Sequence, residues 1–522
     1  MNNKTKRVFS FLVCAALIAV VIPIAALATA EHTVRDGEIW DGSVASAFAG
    51  GSGTESDPYL ISNGAELAFL AEQVNAGESY YGCFFELTDD IYLNDTEGWE
   101  DWSSENPPAN TWTPIGWSEY CTDENGGSWH EMRSFEGNFN GGEHAIYGLF
   151  ACPEDDSLIT KGLFGCMYNG TVSDLMVLDS HIIGNYTCSG IVAWGAEVRV
   201  NDCAFRGWIE SGAYCGGIIG YMEGDSISIC DCMSVGIFEG SEATGAILGY
   251  FCGYSTATEM LNCKANGIVC SEKEAGGIAG WFEGYAECCM AAGRVIGGEY
   301  AGGLFGSLWI SVRKSYSLAD VTGACAGGIA GVANSAGIND SYNCGAVDGA
   351  QIAGGLVGMG YEFALYQCYN IGSVTGGEVS GAVFGYDYEG YCTCENCFCL
   401  EGCTEGQHIG AIVLTEEQMA DGSNYEEYDF ENVWTMEGNP DYPYAELIDN
   451  PHLTIENEEP AIPGDVNGSG AVDVADAVIV MRASMGLIEL TEQEFAAGDI
   501  NGDGQINITD AVTLLRMAMG IA

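Results

Sequence analysis

Positive charge is what this chain of 522 residues has least of: 15 Lys and Arg stand against 75 Asp and Glu, a formal net charge of −60. A chain without a basic face is excluded from binding nucleic acid or anionic membrane. Cations are its natural counterparts, and the acidity also keeps an extracellular protein soluble. Long apolar runs are missing beyond the first thirty residues, so nothing later spans a bilayer. The middle of the chain has no amphipathic helical period. Catalytic signatures are missing too: HEMRS at His130 lacks the second His of a zinc-protease helix, and no G-x-S-x-G occurs, which leaves serine and zinc hydrolysis without support. Finally, 74 glycines without a G-X-Y period exclude collagen, and 11% aromatics exclude wholesale disorder.

What is present begins with Lys4, Lys6 and Arg7, a hydrophobic run from Val8 to Leu27, and Ala28-Thr29-Ala30 before Glu31. That order predicts a secretory signal peptide over 1–30, cut after Ala30, hence an extracellular protein with no membrane insertion after cleavage. The remaining length exceeds one compact core and suggests an elongated body with a small appendage. Setting Cys14 aside, 22 cysteines remain, an even number that in a secreted chain ordinarily means disulfides.

Between Lys161 and Gly385 a five-residue element recurs nine times, as KGLFG, SGIVA, GGIIG, GAILG, GGIAG, GGLFG, GGIAG, GGLVG and GAVFG, at intervals of 25 to 31 residues. Its third position is always aliphatic, from Leu163 to Val383, which marks an inward-facing ladder. The fifth is Gly or Ala, which fits a crowded turn or a close approach of backbones. Short β-favouring runs broken by Gly, Asn and Ser separate the elements, so each repeat reads as one coil of strands. A second recurrence puts a small residue later in each coil: Cys203, Cys232, Cys263, Cys288 or Cys289, Ser315, Ser341, Cys368 and Cys397. Packed thiols are one reading, since free cysteine behaves as a small hydrophobe. Bridges between coils about 4.8 Å apart are the other, and Ser at two rungs favours thiols.

GSGTESDPYLISNGAELAFLAEQVNAG, TWTPIGW, SFEGNFNGGEHAIYGLF and the GGIxG elements together resemble the GLUG-repeat family of bacterial surface proteins over about Gly51 to Leu447. The resemblance implies a mainly β fold, a right-handed-type parallel β-helix solenoid with end caps. Within 51–160, Asn63 reads as a helix N-cap with Glu66 completing the box, and Leu67, Leu70, Ala71 and Val74 share one face. Residues 161–403 are the repeats. LTEEQMADGSNYEEYDFENVWTMEGNPDYPYAEL resembles the family's closing segment, giving a cap over 404–448.

Several coils follow the glycine element with an aromatic: Trp194, Tyr221, Tyr250, Trp281 and Tyr386. A line of rings fits stacking on sugar faces and fits a packed corner ladder, and packing is favoured. For catalysis, glycoside hydrolysis wants two apposed carboxylates, and Asp202 with Asp231, or Asp387 with Glu389, are chance candidates. The position before the cysteine ladder holds Asp, Asn, Lys or Gln, which reads as a solvated stripe. Arg199, Arg206, Lys264, Arg294, Arg313 and Lys314 form no grouping that a lyase requires. The cluster Cys392, Cys394, Cys397, Cys399 and Cys403 contains one C-x-x-C, for which packing or a local disulfide is favoured over zinc.

After a leader over 31–50, the repeats and an acidic linker over 449–463, two twelve-residue loops start 34 residues apart, and ten of the 22 residues from Asp465 and from Asp499 are identical. Calcium takes six to eight oxygen ligands, supplied from loop positions 1, 3, 5, 7, 9 and 12. In the first loop these are Asp465, Asn467, Ser469, the Ala471 carbonyl, Asp473 and Asp476; in the second, Asp499, Asn501, Asp503, the Gln505 carbonyl, Asn507 and Asp510. Gly470 and Gly504 take the sharp turn at position 6. A true EF-hand carries Glu at position 12 and an entering helix, whereas here position 12 is Asp and AIPG precedes the first loop. The duplicated segment over 464–522 thus resembles a type I dockerin, a small α-helical domain with two calcium loops. That resemblance implies two calcium ions and docking to a cohesin domain of a scaffoldin through Val474, Ala475, Arg482, Ile508, Thr509 and Arg516.

The expectation that results is a secreted, cellulosome-type component carrying a non-catalytic or glycan-binding β-helix in the context of plant or host polysaccharide breakdown. A β-helix lyase or glycoside hydrolase of the same assembly, and a surface adhesin, are the alternatives.

Overall fold

The computed structural model describes residues 39–453, apart from 123–127, 153–157, 226, 254–257, 389, 408–409, 426 and 441, and in addition 474–484, 498 and 506. His32–His452 forms one compact unit and the chain from Leu453 onward belongs to another. The expected signal peptide, and the leader as far as residue 38, lie outside the described residues.

The first unit is a parallel β-helix of about 12 turns. Its strands form an 18-stranded and a 22-stranded sheet, each strand pairing in parallel with its counterpart one coil on. One coil shows the plan. Met233–Gly240 and Ala243–Gly245 lie in the larger sheet, Leu248–Cys252 and Glu259–Leu261 in the smaller, and Lys264–Ser271 returns to the larger beside its start, Met233 opposite Lys264. Val235, Ile237, Phe238, Tyr250, Phe251, Ile268 and Val269 within these runs suit a pleated, half-buried surface.

The glycine element forms one of the two corners between the sheets. Its third residue points inward at all nine rungs: Leu163, Ile191, Ile218, Ile247, Ile278, Leu304, Ile329, Leu356 and Val383 are between 0% and 1% exposed. Backbone bonds run straight through this corner, Ile218 N to Ile247 O at 3.0 Å, Ile247 N to Ile278 O at 3.0 Å and Ile278 N to Leu304 O at 2.8 Å. The flanking glycines answer to crowding. A Cβ on Gly216 would lie 1.8 Å from Ile219 O, and one on Gly249 2.3 Å from Gly220 O, distances that no side chain tolerates.

The opposite corner explains both the cysteine ladder and the variable residue before it. Asp174, Asp202, Asp231, Asn262, Cys288, Lys314, Asp340, Gln367 and Asn396 all have φ between 46° and 56°. The column is therefore a left-handed corner, which Asp and Asn enter most readily, rather than merely a solvated stripe. The residue after it turns inward, which assigns Cys289 and not Cys288 to the ladder. Cys203, Cys232, Cys263, Cys289, Cys368 and Cys397 donate to the carbonyl two residues back, at 3.1 to 3.5 Å. Ser315 and Ser341 make the same bond at 2.9 and 2.7 Å. Thiol and hydroxyl share one task, closing the corner. None of the ladder cysteines is bridged to another.

The N-terminal end is covered. The helix Gly64–Asn75 buries Leu67, Leu70, Ala71 and Val74 against the first coils, and Asn63 caps it by accepting from Glu66 N at 3.1 Å. The expected reciprocal bond differs: the Glu66 carboxylate accepts from Ser62 N at 2.7 Å and not from Asn63. At the far end the chain folds back as a strap over the outer face of the larger sheet, with Trp434–Thr435 pairing antiparallel with Glu446–Leu447. Asp449 to His452, expected in the linker, belong to this strap. Lys314 Nζ meets Asp449 Oδ2 at 2.7 Å, Asn450 Nδ2 donates to Cys289 O at 3.2 Å, and Tyr316 Oη donates to Pro451 O at 2.9 Å.

Candidate functional site

Alternation along each strand of the smaller sheet sends every second side chain outward, and in-register pairing turns these into columns. One column runs Cys166, Trp194, Tyr221, Tyr250, Trp281 and Ser307, then Val332, Met359 and Tyr386. The five aromatics expected to stand in line thus share one register. The coils bring Tyr221, Tyr250 and Trp281 together as a ring stack, 5.2 Å and 6° between the first pair, 5.6 Å and 26° between the second. Their faces are spent largely on one another, and Tyr214 packs on both tyrosines at 5.2 Å. Trp194 precedes the stack, while Tyr386 stands three rungs beyond Ser307 and is 44% exposed.

The stack acquires a member that the repeat pattern hides. Ser307 is too small to continue it, and Trp309, two residues on in the adjacent column, leans over to stack on Trp281 at 6.0 Å and 28°. The backbone beside Trp309 is unusual. Register slips between Trp309 and Ile310 against the next coil, which carries one extra residue, a β-bulge of the kind that re-aims a side chain. Ile310 has φ 84° and Ser335 φ 48°. For a β-branched residue that conformation costs about 1–3 kcal/mol.

Beyond Trp309 opens a cavity of about 420 Å³ lined by Trp309, Asn334, Ser335, Met359, Gly360, Tyr361 and Tyr388. Its size falls at the lower end of small-ligand sites, roughly 300–1,000 Å³. Tyr388 is 59% exposed, and Tyr386 approaches it edge-on at 6.5 Å. Sequence reasoning missed Trp309, Tyr361 and Tyr388. The signal available was the break at Ser307 followed at once by an indole.

The acids and bases singled out for catalysis serve other tasks. Asp202 and Asp231 occupy the left-handed corner, where Asn262 Nδ2 donates to Asp231 Oδ1 at 3.0 Å, and burial raises Asp202 above the usual carboxylate range. Asp387 caps a turn, accepting from Gly390 N at 2.9 Å and Cys392 N at 3.1 Å; Glu389 lies outside the described residues. Arg206 pairs with Asp179 and Arg313 with Glu287, each at 2.6 Å. Glu274 was not anticipated: burial at the corner beside the stack pushes its carboxyl up to about 7. Cys394 Sγ donates to Gly410 O at 3.2 Å and Cys397 Sγ to Glu395 O. Among the described residues no three His, Cys, Asp or Glu side chains are arranged to hold a metal ion.

Of the C-terminal module the structure describes the helix Val474–Ser484, which follows the first loop. It carries Val474, Ala475 and Asp476, and ends in an exposed Arg482 with Val480 buried. The loop residues Asp465, Asn467, Ser469, Ala471 and Asp473, the second set Asp499, Asn501, Asp503, Gln505, Asn507 and Asp510, and Ile508, Thr509 and Arg516 lie outside the described residues. Among the described residues no helix is long and apolar enough to cross a membrane.

Fold and sequence together define a class, a parallel β-helix chain with a duplicated loop module at its C-terminal end. Residues 463–517 match the family described as the dockerin type I domain, so the module is a type I dockerin. A protein of Evansella cellulosilytica with the provisional name Gly-rich membrane protein is 30% identical over 178 residues, 34% of this chain and 16% of that protein. The chain therefore spans about a sixth of that relative's length. A crystal structure from Bacteroides ovatus, provisionally named an immunoglobulin A1 protease, aligns over 77% of this chain and 95% of that one at 16% identity, with a TM-score of 0.30. That likeness is too slight to carry an argument.

Proposed function

We propose that the chain is a secreted component of a polysaccharide-degrading assembly, attached by its dockerin to a cohesin domain of a scaffoldin, with the solenoid as its cargo. The observation that carries this reading is the dockerin match over 463–517, which embraces both loops. The donor set supports it: Asp, Asn, Ser and main-chain carbonyls are oxygen ligands throughout, the chemistry of a hard cation such as calcium. Calcium supplies the cross-link that lets each loop fold, and the residues at positions 10 and 11, with Arg482 and Arg516, then face the cohesin. Val474-Ala475 and Ile508-Thr509 differ, so the two faces of the module are not equivalent. The solenoid's aromatic column is the part that would meet polysaccharide.

The test is capture of the full chain by a panel of immobilised cohesins, in calcium and in excess chelator. Capture by at least one cohesin, lost on chelation and weakened at least about a hundredfold by Asp499→Ala, is expected. Capture that survives chelation, or none across the panel, refutes it. Ser469 replaces a carboxylate where Asp503 stands in the second loop, so calcium titration should resolve two sites, and Ser469→Asp should bring the weaker one about tenfold closer to the stronger. A single affinity in the unaltered chain contradicts that.

A further inference from the structure

Three features outside the dockerin invite a role: the thiol cluster around Cys397, the buried carboxyl of Glu274, and the cavity beyond Trp309. The thiols bond to nearby carbonyls and are not arranged as a metal set. Glu274 has no described partner carboxylate placed across a substrate path. The cavity carries more.

It is bounded by one free face of a ring stack, since Trp309 uses its other face on Trp281. Tyr361 and Tyr388 supply further ring surface with hydroxyl groups, Met359 the floor, and Asn334 an amide that both donates and accepts. Flat apolar walls with a few convergent hydroxyl and amide groups match a sugar ring, which is apolar on its faces and hydroxylated around its edge. Among the described residues no charged side chain lines the cavity, and the chain's net charge of −60 repels polyanions. The occupant is therefore uncharged. The site is also built at a cost: the left-handed Ile310 and the bulge at Ser335 are what turn Trp309 toward the stack, and strain of this kind concentrates at ligand sites. Tyr388, which lines the cavity, and Tyr386, edge-on to it at 6.5 Å, are 59% and 44% exposed, aromatic surface of the kind that marks interaction sites.

We propose that this cavity is a subsite for one ring of an uncharged polysaccharide, gripped against the free face of Trp309. The proposal rests on the polysaccharide context argued above, and it moves the sugar contact from the middle of the aromatic column, where ring faces are occupied, to its end.

The experiment is calorimetric titration of the full chain with cellohexaose, xylohexaose and mannohexaose as uncharged probes and hexagalacturonate as the charged one. At least one uncharged oligomer should bind and the charged one should not. Tyr388→Ala, at an exposed position that leaves folding intact by circular dichroism, should weaken binding about tenfold, and Trp309→Ala should abolish it. Tyr168→Ala, an exposed tyrosine on an earlier coil of the same sheet, should bind as the unaltered chain does. Failure of every uncharged oligomer to bind overturns the proposal, as does full binding by Tyr388→Ala or preference for hexagalacturonate. Cohesin capture without sugar binding sinks the cavity and leaves the docking reading standing; sugar binding lost in Tyr388→Ala without cohesin capture does the reverse.

Discussion

Two of the solenoid's aromatic stacks, one on each sheet, have different fates. On the larger sheet Tyr316, Tyr342 and Tyr369 stack at 4.8 Å with planes 1° and 3° apart, which is simply the rise between coils. The strap covers them, and every hydroxyl has a partner: Pro451 O, His452 Nδ1, and Tyr442 Oη together with Ala445 O. On the smaller sheet the stack is uncovered, opens from 5.2 to 6.0 Å and fans to 28°, and Trp281 and Trp309 bury their indole N–H groups without a partner. The same ladder physics therefore yields a sealed seam where another segment saturates it and a distorted, open-ended one where none does. Saturation favours stability, and the open end leaves surface for a ligand.

The sharpest way to break this contrast is to truncate one ring in each stack. Tyr342→Ala leaves a hole under the strap and should cost about 3–5 kcal/mol, read as a large drop in the midpoint of denaturant unfolding. Tyr250→Ala removes a partly buried ring and should cost about 1 kcal/mol. Equal losses would remove the distinction between seam and open face.

Acidity separates the two regions next. His452 stacks on Tyr442 at 3.6 Å, and burial lowers it from 6.5 to about 4. Its neutral form is the one the strap accommodates, so the stability it contributes is present above the unfolded value of 6.5 and is lost as pH falls from there toward 4. The loss amounts to at most about 3 kcal/mol. Glu274, beside the open stack, behaves oppositely. Its carboxyl is raised from 4.5 to about 7 by burial, so its contribution is full below 4.5 and is lost as pH rises through 7. Melting profiles from pH 4 to 8 should show His452→Gln flattening the acid side and Glu274→Gln the neutral side. Either variant flattening the other's limb would show that the assignment is misplaced.

How far the sequence disclosed these features follows from what each one demands. The inward ladder demands aliphatic character at fixed spacing, and residues from Leu163 to Val383 announce it. The left-handed corner demands a backbone conformation, and Asp231, Cys288, Lys314 and Gln367 meet that demand without common chemistry, so the column looked like mere solvent exposure. Trp309 was invisible because the repeat identifies members of one column, whereas this ring crosses from the next through the gap at Ser307. Asp449 to His452 looked like linker because acidic and proline-marked residues ordinarily are; only tertiary contacts with Lys314 and Tyr316 make them strap. The dockerin module was legible because its repeated loops are local in sequence, and the family match over 463–517 bears out that module.

The smallest expected effect tests the corner that both sheets share. If Cys263 is present because its Sγ closes the corner on Leu261 O at 3.5 Å, a hydroxyl serves as well, as Ser315 and Ser341 already show. Cys263→Ser should then change stability by less than about 1 kcal/mol. Cys263→Ala removes the donor and empties the space the sulfur fills, while Leu261 O keeps its bond from Asp231 N at 2.9 Å, and should cost about 1–3 kcal/mol. The left-handed residue one coil back gives the matching pair: Asp231→Asn keeps a side chain at ease in that conformation and should be near neutral, while Asp231→Val forces a β-branched residue into it at about 1–2 kcal/mol. A serine variant as damaged as the alanine one would mean that the rung depends on sulfur itself, through packing in a 0% exposed position, and the equivalence of thiol and hydroxyl along the ladder would fall.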